Sequence, residues 1–176
     1  MNHLLRGRES PKLLNIGKPF TMLQISEIQT LAQELITNPE LFVIDITMSP
    51  SNDICVVLDS DSSVSVDDCV ALSRAMSSRI DEITDDYSLV VTSAGIGQPL
   101  RCLRQYRKLV GGSVEVVLAD GTKILATLDA ADENGITVSY QEKVAVEGKK
   151  RKQLVDVVRT YAYDQIRSTA EWLDYK

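Results

Sequence analysis

The sequence predicts an α+β protein in two parts: a two-layer α-β-β-α-β domain over residues 21–97, then a connecting helix and a small β-barrel over 98–176. Three observations predict it. Up to about residue 92, helical and strand periodicities alternate in the order α-β-β-α-β. From residue 113 the pattern changes to short alternating strands separated by turn residues. The charge also changes at the same place: residues 21–97 carry a net charge of -11, residues 98–176 carry +2, and the first 20 residues carry +3, within a total of -6. A chain of 176 residues has room for two small domains.

The first 20 residues, with Arg6, Arg8, Lys12 and Lys18 against Glu9, read as a flexible basic arm. They lack the apolar core and small-residue cleavage site of a secretory signal. No apolar run is long enough to span a membrane. Ser26 and Gln29 have capping-box spacing, followed by Ile28, Leu31, Ala32 and Leu35 on one helical face, and Asn38-Pro39 ends that helix. "LFVIDITMS" alternates with Phe42, Ile44, Ile46 and Met48 on one side and Val43, Asp45 and Thr47 on the other. "SPSND" is a turn, and "ICVVLDS" places Ile54, Val56 and Leu58 on one face. Ser65 and Asp68 cap a second helix, whose expected buried stripe is Cys69, Val70, Ser73, Met76, Ile80 and Ile83, with Val66 near its start. "YSLVVTS" is the third strand.

The stretch "VTSAGIGQPL" follows that strand, with Gly95 and Gly97 two apart and Pro99 ahead of "LRCLRQYRKLV". A dinucleotide fingerprint would need a third glycine at position 100, where leucine stands, and a parallel crossover beyond it. Gly95, Gly97 and Pro99 read instead as an interdomain turn. In the second part, Asp120-Gly121 between "VEVVL" and "ILATL" predicts a hairpin with a type I′ turn, which has positive φ at both central residues. Asn134-Gly135 predicts a second turn before "ITVSY", and "KVAVE" and "LVDVVRTYAY" supply further strands. This meander is similar to SH3-like and Sm-like barrels, although Ala126 stands where a glycine is usual.

Several groups of residues are candidates for function. Arg101, Arg104 and Lys108 fall on one helical face at i, i+3 and i+7, with Arg107 beside them, as either an RNA contact or a solvated face. Lys149, Lys150, Arg151 and Lys152 crowd a hairpin tip, where a phosphate-rich partner would relieve their mutual repulsion. Asp45, Asp59 and Asp61 could hold a divalent ion, but no glycine or distant carboxylate completes a cage, and a solvated loop is the simpler reading. The acidic cluster Asp81, Glu82, Asp85 and Asp86 should attract basic protein tails and repel bare RNA. The only histidine is His3, and no motif of a hydrolase, zinc protease or nucleotide-binding loop occurs, so no catalytic, metal or cofactor residue is assigned. Cys55, Cys69 and Cys102 are an odd number without CxxC spacing and are expected as buried free thiols, which favours the cytosol.

The junction and the strand after it resemble the ribosome maturation factor RimP family. Ser93, Gly95, Ile96, Pro99 and Leu100 match that family's junction, and Val110, Gly111, Val114 and Val116 match its following V-G-x-x-V-x-V strand. Ala94, Gly97 and Gln98 depart from it, where proline, aspartate and arginine are usual. The resemblance spans roughly residues 22–170, and the tail "RTYAYDQIRSTAEWLDYK" is longer than in the simplest members of the family and looks lineage-specific. It implies a KH-like N-terminal layer and an Sm-like barrel. It also implies a monomeric, non-enzymatic cytoplasmic factor, without cofactor, that binds the immature small ribosomal subunit. The barrel would dock the basic small-subunit protein number twelve, close to ribosomal RNA. KH-style clamping of RNA is not expected, because residues 21–92 contain no G-x-x-G loop. Two alternatives remain: a free Sm-type RNA-binding module, and a metal-dependent enzyme using Asp45, Asp59 and Asp61.

Overall fold

The computed structural model describes residues 23–145, 147–148 and 151–173. The basic arm, Lys149 and Lys150 lie outside the described residues. The protein is of mixed α+β type, with two separate sheets. The first comprises α1 (Ile25–Leu35), β1 (Leu41–Met48), β2 (Asp53–Ser60), α2 (Val66–Ile80) and β3 (Ser88–Ser93). β1 and β2 are antiparallel, whereas β3 runs parallel to β2. A parallel neighbour requires a crossover, and α2 supplies it. Ile28 and Ala32 of α1 and Leu72, Met76 and Ile80 of α2 form one buried cluster with Ile54, Val56 and Leu58 of β2.

Local details differ from the periodicity. The cap of α1 lies two residues early: Gln24 N–H donates to Glu27 at 3.1 Å, and Ser26 instead accepts the Thr30 hydroxyl at its carbonyl. The α2 cap is as expected, with Asp68 N–H donating to the Ser65 hydroxyl and Ser65 N–H donating to the Asp68 carboxylate. The buried stripe of α2 is rotated, however. Leu72 lies inside, while Val66, Val70 and Ile83 face solvent, because the core admits only the arc through Leu72, Met76 and Ile80.

In β1 the expected alternation fails at one residue. The pairing shifts between Val43 and Asp45, so Ile44 is bulged out of register. Val43, Ile46 and Met48 then pack on the core. Phe42 and Asp45, which strict alternation puts on opposite sides, come to share the other face.

The second sheet has the order β7-β6-β5-β4-β8, built from β4 (Ser113–Leu118), β5 (Lys123–Ala131), β6 (Gly135–Val144), β7 (Gln153–Ala162) and β8 (Ile166–Glu171), with a 3₁₀ turn at Tyr163–Gln165. All its pairings are antiparallel. Its core is Val114, Val116, Ile124, Ala126, Leu128, Ile136 and Val138, closed by Tyr106 of α3 (Leu103–Lys108).

The expected closed barrel is corrected: β7 and β8 are the two sheet edges, and among the described residues no pairing joins them. The long tail is integral to this sheet, since β8 pairs with β4 along Val114–Leu118. The β4–β5 hairpin forms, but not with a type I′ turn. Only Gly121 has positive φ, at 88°, and its N–H donates to Leu118. Asp120 is not among the positive-φ residues, and its carboxylate accepts Thr122 N–H. Gly135 is needed for close approach: a Cβ there would lie 2.1 Å from the Tyr161 carbonyl oxygen of β7. Among the described residues no helix is long and apolar enough to cross a membrane.

Candidate functional site: the charged junction between the sheets

The chain leaves β3 at Ser93 and turns through Gly95 and Gly97, at φ 78° and 73°. Glycine reaches this left-handed region without the Cβ penalty. Ala94 N–H still donates to Leu58 of the first sheet, while Leu100 N–H donates to Thr169 of β8 at 2.7 Å and Pro99 bridges Ala170. The turn at Gly95–Pro99 is therefore a short link with each end fastened to a different sheet. A cleft of about 480 Å³ opens beside it, lined by Ser62, Ser63, Ser93, Ile96 and Lys108 among others.

Beyond the link, Arg101 and then α3 lay three cations on the face of the first sheet opposite its helices. α3 starts only at Leu103, so Arg101 precedes the helix, and the expected single helical face of Arg101, Arg104 and Lys108 is corrected. Arg101 pairs with Asp45 of β1. Arg104 grips Asp61 with two nitrogens, Nε at 2.7 Å and a terminal nitrogen at 2.5 Å, and donates to the Pro39 carbonyl at 2.8 Å. Its guanidinium carbon also lies 4.4 Å from the centre of the Phe42 ring, a cation–π contact. Lys108 Nζ lies 3.0 Å from Asp59. Three of the candidate RNA-contact cations, Arg101, Arg104 and Lys108, and the three candidate metal ligands thus meet one another. Each carboxylate takes its own cation, and among the described residues no acidic, histidine or cysteine cluster is arranged to hold a metal. The β1 bulge makes this possible, because it brings Phe42 and Asp45 to the same face.

The residue that organises this contact is Gln105, which the sequence did not mark out. It is buried. Its Oε1 accepts Arg101 N–H at 2.7 Å, and its Nε2 donates to Asp59 at 2.8 Å. Burial pulls the Asp59 carboxyl upward, but the Gln105 amide, Ser60 N–H and Lys108 outweigh it and hold the group below the usual carboxylate range. The bond from Arg104 likewise holds Asp61 low, and Asp61 in return raises the Arg104 guanidinium. The arrangement is graded by exposure. Side-chain exposure is 27% and 15% for Lys108 and Asp59, but 60% and 31% for Arg101 and Asp45. Exposed pairs contribute about 0.2–1 kcal/mol each, so the Lys108–Asp59–Gln105 set is the inner pin and the two arginine pairs are its outer rim.

The other candidates lie elsewhere. Arg107, Arg151 and Lys152 are exposed, the last two just before β7. Asp81, Glu82, Asp85 and Asp86 are exposed after α2, and Asp81 accepts the Tyr87 hydroxyl at 2.7 Å. The three cysteines are free, as expected, but half-buried rather than buried.

Fold and junction together define a class: an acidic α/β layer tied by a basic connector to a five-stranded antiparallel sheet. Residues 31–97 match the family model of the RimP N-terminal domain. The chain is 33% identical to ribosome maturation factor RimP of Flavobacterium psychrophilum over 139 residues, covering 79% of this chain and 90% of that protein. It is 32% identical to that of Cytophaga hutchinsonii over 152 residues, covering 80% and 91%. With that of Christiangramia forsetii the identity is 37% over 118 residues, covering 66% and 76%. The chain belongs to the ribosome maturation factor RimP family.

Proposed function

We propose that this protein is a non-enzymatic assembly factor that binds the immature small ribosomal subunit and promotes its maturation. The observation that carries the proposal is the continuous similarity to ribosome maturation factors across about four-fifths of the chain, both sheets included. The acidic α/β layer supports it too, since an assembly particle offers basic protein tails as well as RNA. We read the two parts, 21–97 and 98–176, as separate domains, the first KH-like and the second a half-open Sm-like barrel. The second domain docks a basic small-subunit protein, number twelve in the family's usual partnership. Lys149 to Lys152 contact neighbouring ribosomal RNA, and the protein works as a monomer in the cytoplasm without a cofactor. A free Sm-type RNA-binding module fits less well, because the whole chain carries -6. An enzyme using Asp45, Asp59 and Asp61 is disfavoured by the cation on each carboxylate.

The test is co-sedimentation of the full chain with free small subunits and with complete ribosomes over a salt series. Binding should favour the free subunit. Replacing Lys149, Lys150, Arg151 and Lys152 together by alanine should weaken it and lower the log–log salt slope by about 0.7–0.9 per lost phosphate contact. An unchanged slope would leave those cations as a solvated hairpin tip. Equal binding to complete ribosomes would remove the assembly role.

A further inference from the structure

The outer rim of the junction holds two arginines in a geometry that suits a different ligand. A guanidinium fork binds carboxylate and phosphate oxygens in the same planar, two-pronged way. Asp61 occupies Arg104 in this two-pronged way, and Asp45 holds Arg101 through one terminal nitrogen, each as a phosphate oxygen would. Both pairs are open to solvent, so an incoming oxyanion can reach them without unfolding either sheet. The carboxylates have the advantage of attachment: a short tether gives an effective concentration on the order of millimolar. A single free anion is a poor competitor at that level. An RNA backbone, which presents phosphates in a row to both arginines at once, is a much better one. The inner pin of Lys108, Asp59 and Gln105 is less exposed and would keep the domains joined during the exchange.

We infer that Arg101 and Arg104 form an RNA phosphate-binding site that Asp45 and Asp61 mask from within the same chain. The masking makes RNA contact conditional. Isolated RNA meets a protein whose Arg101 and Arg104 are already neutralised, and only RNA held close by a docked particle displaces the aspartates. The inference rests on the reading that the chain works on an RNA-containing particle.

The test uses the full chain and a fluorescent RNA hairpin, titrated at several salt concentrations. D45N/D61N should bind the hairpin roughly three- to tenfold more tightly than the unaltered chain at low salt, in keeping with the combined worth of two exposed pairs. Its salt slope should be steeper by about 0.7–0.9 per freed arginine. The control D67N/E82Q removes two negative charges away from the connector and should give a smaller gain. Adding R101Q/R104Q to D45N/D61N should abolish the gain. A D45N/D61N affinity no higher than that of the control, or a gain that survives R101Q/R104Q, overturns the inference. Should D45N/D61N fail to fold, the unaltered chain still decides: side-chain NMR signals of Arg101 and Arg104 should shift at saturating hairpin, and unmoved signals overturn the inference. Failure of the assembly reading is separate, since it appears as lost subunit preference in co-sedimentation whatever the hairpin titrations give.

Discussion

Gln105 decides the junction because it is buried and all its partners are polar. Its carbonyl serves the backbone N–H groups of Arg101 and Cys102, at 2.7 and 3.4 Å, and its amide serves Asp59. Replacing it with leucine keeps the volume but leaves the Arg101 N–H and one Asp59 oxygen without their partner. A buried polar group stripped of its bond costs about 1–3 kcal/mol, and more when charged. Gln105→Leu should therefore lower the urea midpoint by an amount in that range, with the slope unchanged. A midpoint equal to that of the unaltered chain would mean that water replaces the side chain fully. Nothing in the local sequence marks Gln105 out: a glutamine in a basic, six-residue helix reads as surface. Its importance comes from Asp59, which is 46 positions away.

At the scale of elements, β8 and the β1 bulge do the unexpected work. β8 completes the second sheet along β4 and receives the link at Leu100 and Pro99. Truncation after Gln165 would expose the edge of β4 and release the link at once. The second sheet should then lose cooperative unfolding, visible as a broadened, early thermal transition, while the first sheet retains its own. A truncated chain that melts in one sharp transition at the original temperature would make β8 an accessory strand. The tail reads as lineage-specific because it is longer than in the simplest family members, and nothing in that comparison marks β8 as a strand of the sheet. The bulge is equally hidden. "LFVIDITM" reads as one unbroken alternation, and only pairing with β2 reveals that Ile44 is the extra residue.

For the whole molecule, the charge contrast seen along the sequence becomes an attraction across the junction. The first sheet and its two helices have a buried cluster of nine residues, and the second sheet has its own of eight. Neither cluster borrows a buried residue from the other. Residues 21–97 and 98–176 expressed separately should each unfold cooperatively. Because the contact between them is a set of charged pairs, adding one half to the other should restore little binding at high salt, where the screening length falls to about 3 Å. Non-cooperative melting of both isolated halves would show that the chain is one folding unit.

The sequence by itself determined the α-β-β-α-β order of the first part, the helix after it and the family, because these depend on neighbours a few residues apart. In the second part it split β6, which runs from Gly135 to Val144 into "KVAVE", and missed β8. It also listed the six charged residues of the junction, but in two groups with two different purposes, Arg101, Arg104 and Lys108 for RNA and Asp45, Asp59 and Asp61 for a metal. Only the tertiary structure brought the groups together as pairs. Partners separated by 43 to 56 positions leave no periodic trace, and a single bulged residue is enough to change which of them share a face. Sheet closure was likewise out of reach of the sequence, since whether β7 meets β8 depends on the twist accumulated across five strands.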